Sequence, residues 1–185
     1  MRKGRRLMKN ILILSGSPRK GGNSDTLCDE FLRGAEEAGH RVEKIRIAEK
    51  KVAYCQACYG CKDSGICVIK DDMAEIMQKI IDADVLVLAT PVYFYSVSAQ
   101  LKAVIDRTVA RWEDVHDKEM YYIMTAAEAE DTTTASTLAS LRGYAECVEG
   151  AKEMGIIHGI GLYQKGEVEN SPYMEQAYQM GRSVR

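Results

Sequence analysis

The sequence holds no long apolar run. Its first hydrophobic stretch, Ile11 to Leu14, is four residues long before Ser15 opens a polar loop, whereas the apolar part of a secretory leader takes about 7 to 15 residues. The arginines ahead of it, Arg5 and Arg6, therefore do not introduce a twin-arginine export signal, and a cytoplasmic location is expected, with Met8 an alternative start. No excess of one charge exists either: 25 Lys and Arg stand against 27 Asp and Glu, a net charge of -2. A face that binds a phosphate backbone needs clustered cations, and the dense basic run is Arg2, Lys3, Arg5, Arg6 and Lys9 at the very start. Residues 1–9 read as a disordered basic tail ahead of one domain over 10–185, with no nucleic-acid or membrane partner. The three histidines, His40, His116 and His158, have no metal-ligand spacing and read as surface or packing residues. A hydrolase elbow of the form Gly-x-Ser-x-Gly is absent.

Cysteine is scarce outside one place. Four of the six cysteines, Cys55, Cys58, Cys61 and Cys67, fall within thirteen residues, with two, two and five residues between them. Thiols this dense on one short loop cannot all point inward, so a shared partner is expected. Soft sulfur ligands select zinc, cuprous copper or an iron-sulfur cluster. In a reducing compartment metal or redox chemistry is favoured over structural disulfides. Three cysteines so close together suit a cubane cluster better than the two separated pairs of a zinc finger, while free thiols and zinc remain the alternatives. Cys28 and Cys147 stand alone in predicted helices and read as small buried hydrophobes.

Short Val- and Ile-rich runs alternate with longer stretches of helical period, which indicates β/α units around a parallel sheet. Strands are predicted at Asn10 to Leu14, around Val42 to Ile47, at Val85 to Ala89, at Met120 to Thr125 and at Ile156 to Tyr163. Helical stripes lie at Leu27, Phe31, Leu32 and Ala35; at Met73 to Ile81, capped by Asp71 or Asp72; at Leu101 to Val109; from about Thr133 to Val148; and from Tyr173 to about Met180. No repeat or linker interrupts them. The fold class expected is α/β, a doubly wound three-layer sandwich on a five-stranded parallel sheet in the order 2-1-3-4-5.

Ligands of such sheets bind beyond the carboxyl ends of the strands, where the strand order reverses. The loop after the first strand, Ser15 to Ser24, combines hydroxyls, glycine-freed amides, two cations and a helix start, the ingredients of a phosphate cradle. It is not a nucleoside-triphosphate loop, because Gly22 and Asn23 stand where lysine and serine or threonine belong. The loop after the third strand carries Tyr93, Phe94 and Tyr95 in succession. Such rings wall a flat heterocycle or pack against a neighbouring subunit. Cradle and rings together describe a mononucleotide with a planar ring system, and FMN fits both halves, with the loop from Thr125 to Glu130 beside it. Glu128 and Glu130 read as solvated unless they touch the ligand. Asp106 and Arg107 read as a helix-surface charge pair or an interface contact.

These residues resemble a known family. Ser15 to Ser24, with its Gly-Ser-Pro-Arg core and Asn-Ser end, is similar to the phosphate motif of the NADPH-dependent FMN reductases, which are flavodoxin-like proteins. Thr90 to Tyr93, followed by Leu101, Lys102, Asp106 and Arg107, resembles their isoalloxazine loop and the helix behind it. The cysteine run is similar to the compact motif of the iron-sulfur flavoproteins. The resemblance implies FMN held by Ser17, Arg19, Asn23 and Ser24 at the phosphate and by Pro91, Val92, Tyr93 and Phe94 at the ring; the loop reading adds Ser15 and, beside the ring, Thr125, Ala126 and Glu128 as candidate contacts. It also implies a [4Fe-4S] cluster on Cys55, Cys58, Cys61 and Cys67, and a homodimer or homotetramer with flavin sites near subunit contacts. The implied activity is a flavin-dependent oxidoreductase. NAD(P)H or ferredoxin would be the donor, and flavin, quinone, oxygen or peroxide the acceptor. An FMN or quinone reductase without a cluster, and a zinc-bound or thiol-switch module outside enzymology, are the alternatives.

Overall fold

The computed structural model describes residues 7–185; most of the basic run, Arg2 to Arg6, lies outside the described residues. Lys9 is tied down: its amide donates to His40 Nδ1 and its carbonyl accepts from Arg41. Five strands, β1 (Asn10–Ser15), β2 (Arg41–Arg46), β3 (Val85–Pro91), β4 (Glu119–Thr125) and β5 (Lys152–Gly159), form one parallel sheet in the order β2-β1-β3-β4-β5. Between and after them run α1 (Asn23–Glu37), α2 (Met73–Asp82), α3 (Ala99–Arg107), α4 (Ala135–Glu146) and α5 (Tyr173–Ser183).

Period-two alternation along the central strands decides which helices lie on which face. Ile11, Ile13, Val85, Val87, Tyr121 and Ile123 pack with α1 and α5. Leu12, Leu14, Leu86, Leu88, Met120 and Tyr122 pack with α2, α3 and α4. In β3 every residue from Val85 to Ala89 is fully buried, as an unbroken apolar run between two helical layers requires. His40 is buried and its Nε2 meets the carbonyl oxygen of Val184 at 3.1 Å, a packing role.

Four expectations are corrected. β5 begins and ends about four residues early, at Lys152–Gly159 rather than Ile156 to Tyr163. It is an edge strand, exposed over its first half, so its apolar signal is weak; Gly161, at φ +71°, turns the chain so that Leu162 N donates to Ala126 O just past the end of β4. Ile47 lies in a short 3-10 turn after β2, and Val109 is an exposed residue of another such turn after α3. Cys147 is exposed at the end of α4 rather than buried, whereas Cys28 is fully buried, and desolvation raises its thiol pKa far out of the reactive range.

Candidate functional site

The carboxyl ends of β1, β3 and β4 and the loop after β5 enclose a cavity of about 160 Å³ lined by Ser17, Arg19, Gly22, Asn23, Ser24, Pro91, Val92, Tyr93, Thr125, Ala127, Leu162 and Tyr163. Eight of the residues expected at the flavin thus converge on one cavity.

Its floor is fixed by backbone and buried polar contacts. Gly16 N donates to Ala89 O at 2.8 Å, joining the ends of β1 and β3, and Ser98 Oγ donates to Gly16 O at 2.8 Å. A Cβ on Gly16 would stand 2.7 Å from Ser98 Oγ and 2.9 Å from Leu101 Cβ, so only glycine lets the loop pass this close to α3. Ser98 in turn receives Leu101 N and caps α3. Val92 N donates to Thr125 O at 2.7 Å, joining the ring-side loop to β4.

Beneath the loop sits a carboxylate that sequence reasoning passed over. Asp25 is 2% exposed; it accepts from Ser15 Oγ at 2.7 Å and from Gly21 N at 2.9 Å, and pairs with Lys44 at 3.3 Å and Arg46 at 3.1 Å. Burial alone would raise its pKa, but Ser15, the Gly21 amide, Lys44 and Arg46 outweigh that and hold it below the ordinary carboxylate value. Asp25 thereby shapes the loop from below and binds it to the end of β2, from which the cysteine segment departs. Its signal was present in Asp25 itself, an acid in the first turn of α1 directly after the glycines.

Not every expected contact lines the cavity. Ser15 is fully buried with its hydroxyl committed to Asp25. Asn23 reaches the cavity, but its amide nitrogen donates to Gln164 O at 2.9 Å and its oxygen accepts from Gly166 N at 3.1 Å, so it clamps the loop after β5. Ala126 serves through its backbone, donating to Gly159 O and accepting from Leu162 N, both at 2.8 Å. Glu128 is exposed and contributes its carbonyl to Gly161 N. Phe94 is the clearest departure. Tyr93 and Ser96 exchange backbone hydrogen bonds at 3.1 and 3.0 Å around Phe94 and Tyr95, which hold φ of 48° and 59°. This is a tight left-handed turn built without glycine, and it projects Phe94 fully into solvent while only Tyr93 remains on the cavity. Ala127, Leu162 and Tyr163 take the vacated walls; the last two were hidden by their assignment to β5.

One buried side-chain atom of the cavity lining has no partner among the described residues. Ser24 Oγ is buried at the second residue of α1 without a hydrogen bond. A helix N-terminus with a free hydroxyl and the amides of the preceding loop is suited to an anion, so these residues fit the phosphate of a mononucleotide.

The cysteine segment leaves the 3-10 turn after β2 and returns to the sheet through α2. Cys55, Cys58, Cys61 and Cys67 are free and at least partly exposed. All four line a second cavity of about 320 Å³ with Asp106, Arg107, Val109 and Ala110. Among the described residues no three metal-binding side chains are gathered at coordinating positions. Four thiols facing one cavity nonetheless match the donor set of a cubane cluster. Ala57 and Tyr59, at φ of 50° and 57°, bend the segment without glycine.

Its base is closed by an ion pair. Arg107 is not a surface residue: it is 2% exposed and meets both carboxylate oxygens of Asp71 at 2.8 and 3.0 Å. Asp71 Oδ2 also accepts from Ala53 N at 2.9 Å and its Oδ1 from Met73 N at 3.2 Å, while Arg107 donates to Ala53 O at 2.8 Å. Burial would raise the Asp71 pKa; Arg107 and the two amides hold it low instead. Asp72 turns back to accept from Lys51 N at 2.7 Å. Asp106, by contrast, pairs with Lys102 on the outer face of α3.

A doubly wound parallel sheet of five strands in the order β2-β1-β3-β4-β5, with a cavity at the carboxyl ends of β1 and β3, defines the flavodoxin-like class of α/β proteins. Within that class, the sequence profile of the NADPH-dependent FMN reductases matches residues 9–168, and the chain belongs to that family. It is 45% identical over 100 residues to an iron-sulfur flavoprotein of Archaeoglobus fulgidus, covering 54% of this chain and 45% of that protein. A second iron-sulfur flavoprotein, of Methanosarcina thermophila, is 45% identical over 99 residues, covering 54% of this chain and 52% of that one. The chain thus spans about half the length of the curated relatives it matches. In fold it is similar to an NAD(P)H:quinone oxidoreductase from Methanothermobacter marburgensis, with a TM-score of 0.74 at 18% identity over 95% of this chain and 96% of that one.

Proposed function

We propose that this protein is an FMN-dependent oxidoreductase that also carries a [4Fe-4S] cluster on Cys55, Cys58, Cys61 and Cys67. The observation that carries the flavin half is the partnerless Ser24 hydroxyl at the α1 terminus of a cavity whose far wall is Tyr93. FMN, when bound, supplies electron transfer in pairs or singly, and a neighbouring cluster supplies one-electron transfer. Ser17, Arg19 and Ser24 would hold the phosphate; Pro91, Val92 and Tyr93 would position the ring, with Thr125 and Ala127 beside it. No side chain need act as an acid or base, since backbone groups near the ring orient it and tune its electronics.

NAD(P)H or ferredoxin is the proposed donor and a flavin, quinone, oxygen or peroxide the acceptor. The names of the two relatives support the cluster, and the shared cavity of the four thiols supports it independently. All six cysteines are free, which suits a cytoplasmic protein. Among the described residues no helix is long and apolar enough to cross a membrane. The fully exposed Phe94 and the exposed Tyr95 support a homodimer or homotetramer that covers this turn. A second reading, an NAD(P)H-dependent FMN or quinone reductase without a cluster, draws on the thiols not being gathered at coordinating positions.

Protein purified without air and refilled with FMN, iron and sulfide should show both flavin and cluster absorption, with about four irons per chain. Bound flavin without iron, unchanged by Cys55→Ser and Cys61→Ser, selects the second reading. Stoichiometric zinc with no flavin would sink both and leave a zinc-bound module.

A further inference from the structure

The Arg107 guanidinium presents three edges, and only two are used. Nη1 and Nη2 are committed to Asp71 and Ala53, in an end-on fork that fixes the guanidinium plane. Nε is buried and has no hydrogen-bond partner among the described residues. A buried donor left without an acceptor is costly, and native interiors seldom keep one unless something else occupies the site. Arg107 shares the thiol-lined cavity with all four cysteines. Together with Cys67 it also lines the neighbouring cavity, of about 460 Å³. The two residues therefore stand in the wall between the cavities. Asp71 foremost, and Cys67 after it, hold the guanidinium above its usual pKa.

We propose that Arg107 is a positioning residue that donates Nε–H to the sulfur of Cys67, holding that ligand on the cluster side of the wall and raising the reduction potential of the cluster. The inference rests on the cluster reading above. Its physical basis is that a fixed positive charge and a hydrogen bond to a ligating sulfur both stabilise the more negative, reduced cluster. Arginine suits the position because its fork satisfies Asp71 while a third donor remains for the sulfur. A lysine at 107 could supply the charge without that fixed geometry.

The test uses the full chain, assembled anaerobically with FMN, iron and sulfide, as wild type, Arg107→Gln and Arg107→Lys. Iron per chain and the cluster and FMN midpoint potentials are read by chemical analysis and separate optical titrations. Arg107→Gln should move the cluster midpoint to a more negative potential, or lose iron, while FMN content and midpoint stay at wild-type values. Arg107→Lys, which keeps the charge, should fold and give a smaller shift of the same sign. Cluster midpoints and iron contents unchanged in both variants overturn the inference and leave the cluster reading standing. Loss of FMN in step with iron in both variants marks Arg107 as purely structural and also overturns it. Wild-type protein that takes up FMN but no iron fails the cluster reading itself, a result visible before any variant is made.

Discussion

The cavity at the strand ends and the cysteine segment sit at the same edge of the sheet and are built in opposite ways. The cavity is assembled from strand ends, so its walls inherit the rigidity of β1, β3 and β4, and its joints are backbone hydrogen bonds such as Gly16 to Ala89 and Val92 to Thr125. The cysteine segment has no regular structure between the turn ending at Glu49 and α2, and is closed at its base by the buried Arg107–Asp71 pair. A site made of strand ends is specified by the fold, whereas one made of a loop depends on a few side chains that staple it. Asp25 is where the two meet, since it accepts from Gly21 in the loop after β1 and pairs with Arg46 at the end of β2.

The largest effect that separates the two regions is expected from Asp71→Ala. It leaves Arg107 as an uncompensated buried charge and should cost about 3 to 5 kcal/mol in denaturant melts. FMN affinity of the protein that remains folded should be unchanged; a parallel fall in that affinity would show that the regions are not independent. Gly16→Val reverses the pattern. Its side chain meets Ser98 and Leu101, so FMN binding measured by flavin fluorescence should weaken about 100-fold, a loss of about 2.7 kcal/mol. Retention of wild-type affinity would break the link between loop approach and flavin site.

Ser24→Ala removes the partnerless hydroxyl. Flavin-free protein should be as stable as wild type or slightly more so, because a buried unsatisfied group is lost, while FMN affinity falls about tenfold, or about 1.4 kcal/mol. Equal affinity would remove Ser24 from the phosphate site.

Acid stability offers a finer comparison, because Asp25 and Asp71 both have pKa values held below the ordinary carboxylate range. A depressed folded-state pKa contributes stability that is fully present above the unfolded value of about 3.9 and is lost as pH falls through the folded value. Wild type should therefore weaken steeply below about pH 4, and Asp25→Asn should be less stable at neutral pH yet show a shallower acid slope. An unchanged slope in urea melts across this range would discount Asp25 as the coupling carboxylate. The smallest effect is expected from Phe94→Gly. It relieves one left-handed residue and should stabilise the isolated chain by no more than about 1 kcal/mol with little change in FMN affinity. A large loss of affinity would place Phe94 on the ring after all, in the assembled oligomer.

Much of this was legible in the chain. Val85 to Ala89 announced a central strand because an unbroken apolar run is stable only between two layers, and the hydroxyls and glycines of Ser15 to Ser24 announced a loop between a strand and a helix start, where the structure places a cavity. β5 was misplaced because an edge strand buries one side weakly, so its apolar residues did not stand out from those of the loop beyond it. Arg107 reads as a surface charge beside Asp106, and Asp71 as a helix cap, because nothing local distinguishes a charge on a helix from one buried against a residue thirty-six positions away in sequence.

The sheet, its strand order and the grouping of the four cysteines were legible without the structure, since they follow from the alternation and spacing of residues along the chain. Tertiary structure alone decided that Asn23 clamps a distant loop, that Phe94 faces solvent, that Leu162 and Tyr163 wall the cavity, and that Arg107 is buried beside Cys67. The physical reason is range. Hydrogen-bonded elements and turns are chosen by neighbours in sequence, whereas the burial of a charge and the partner of a side chain depend on residues that only the folded chain brings into contact.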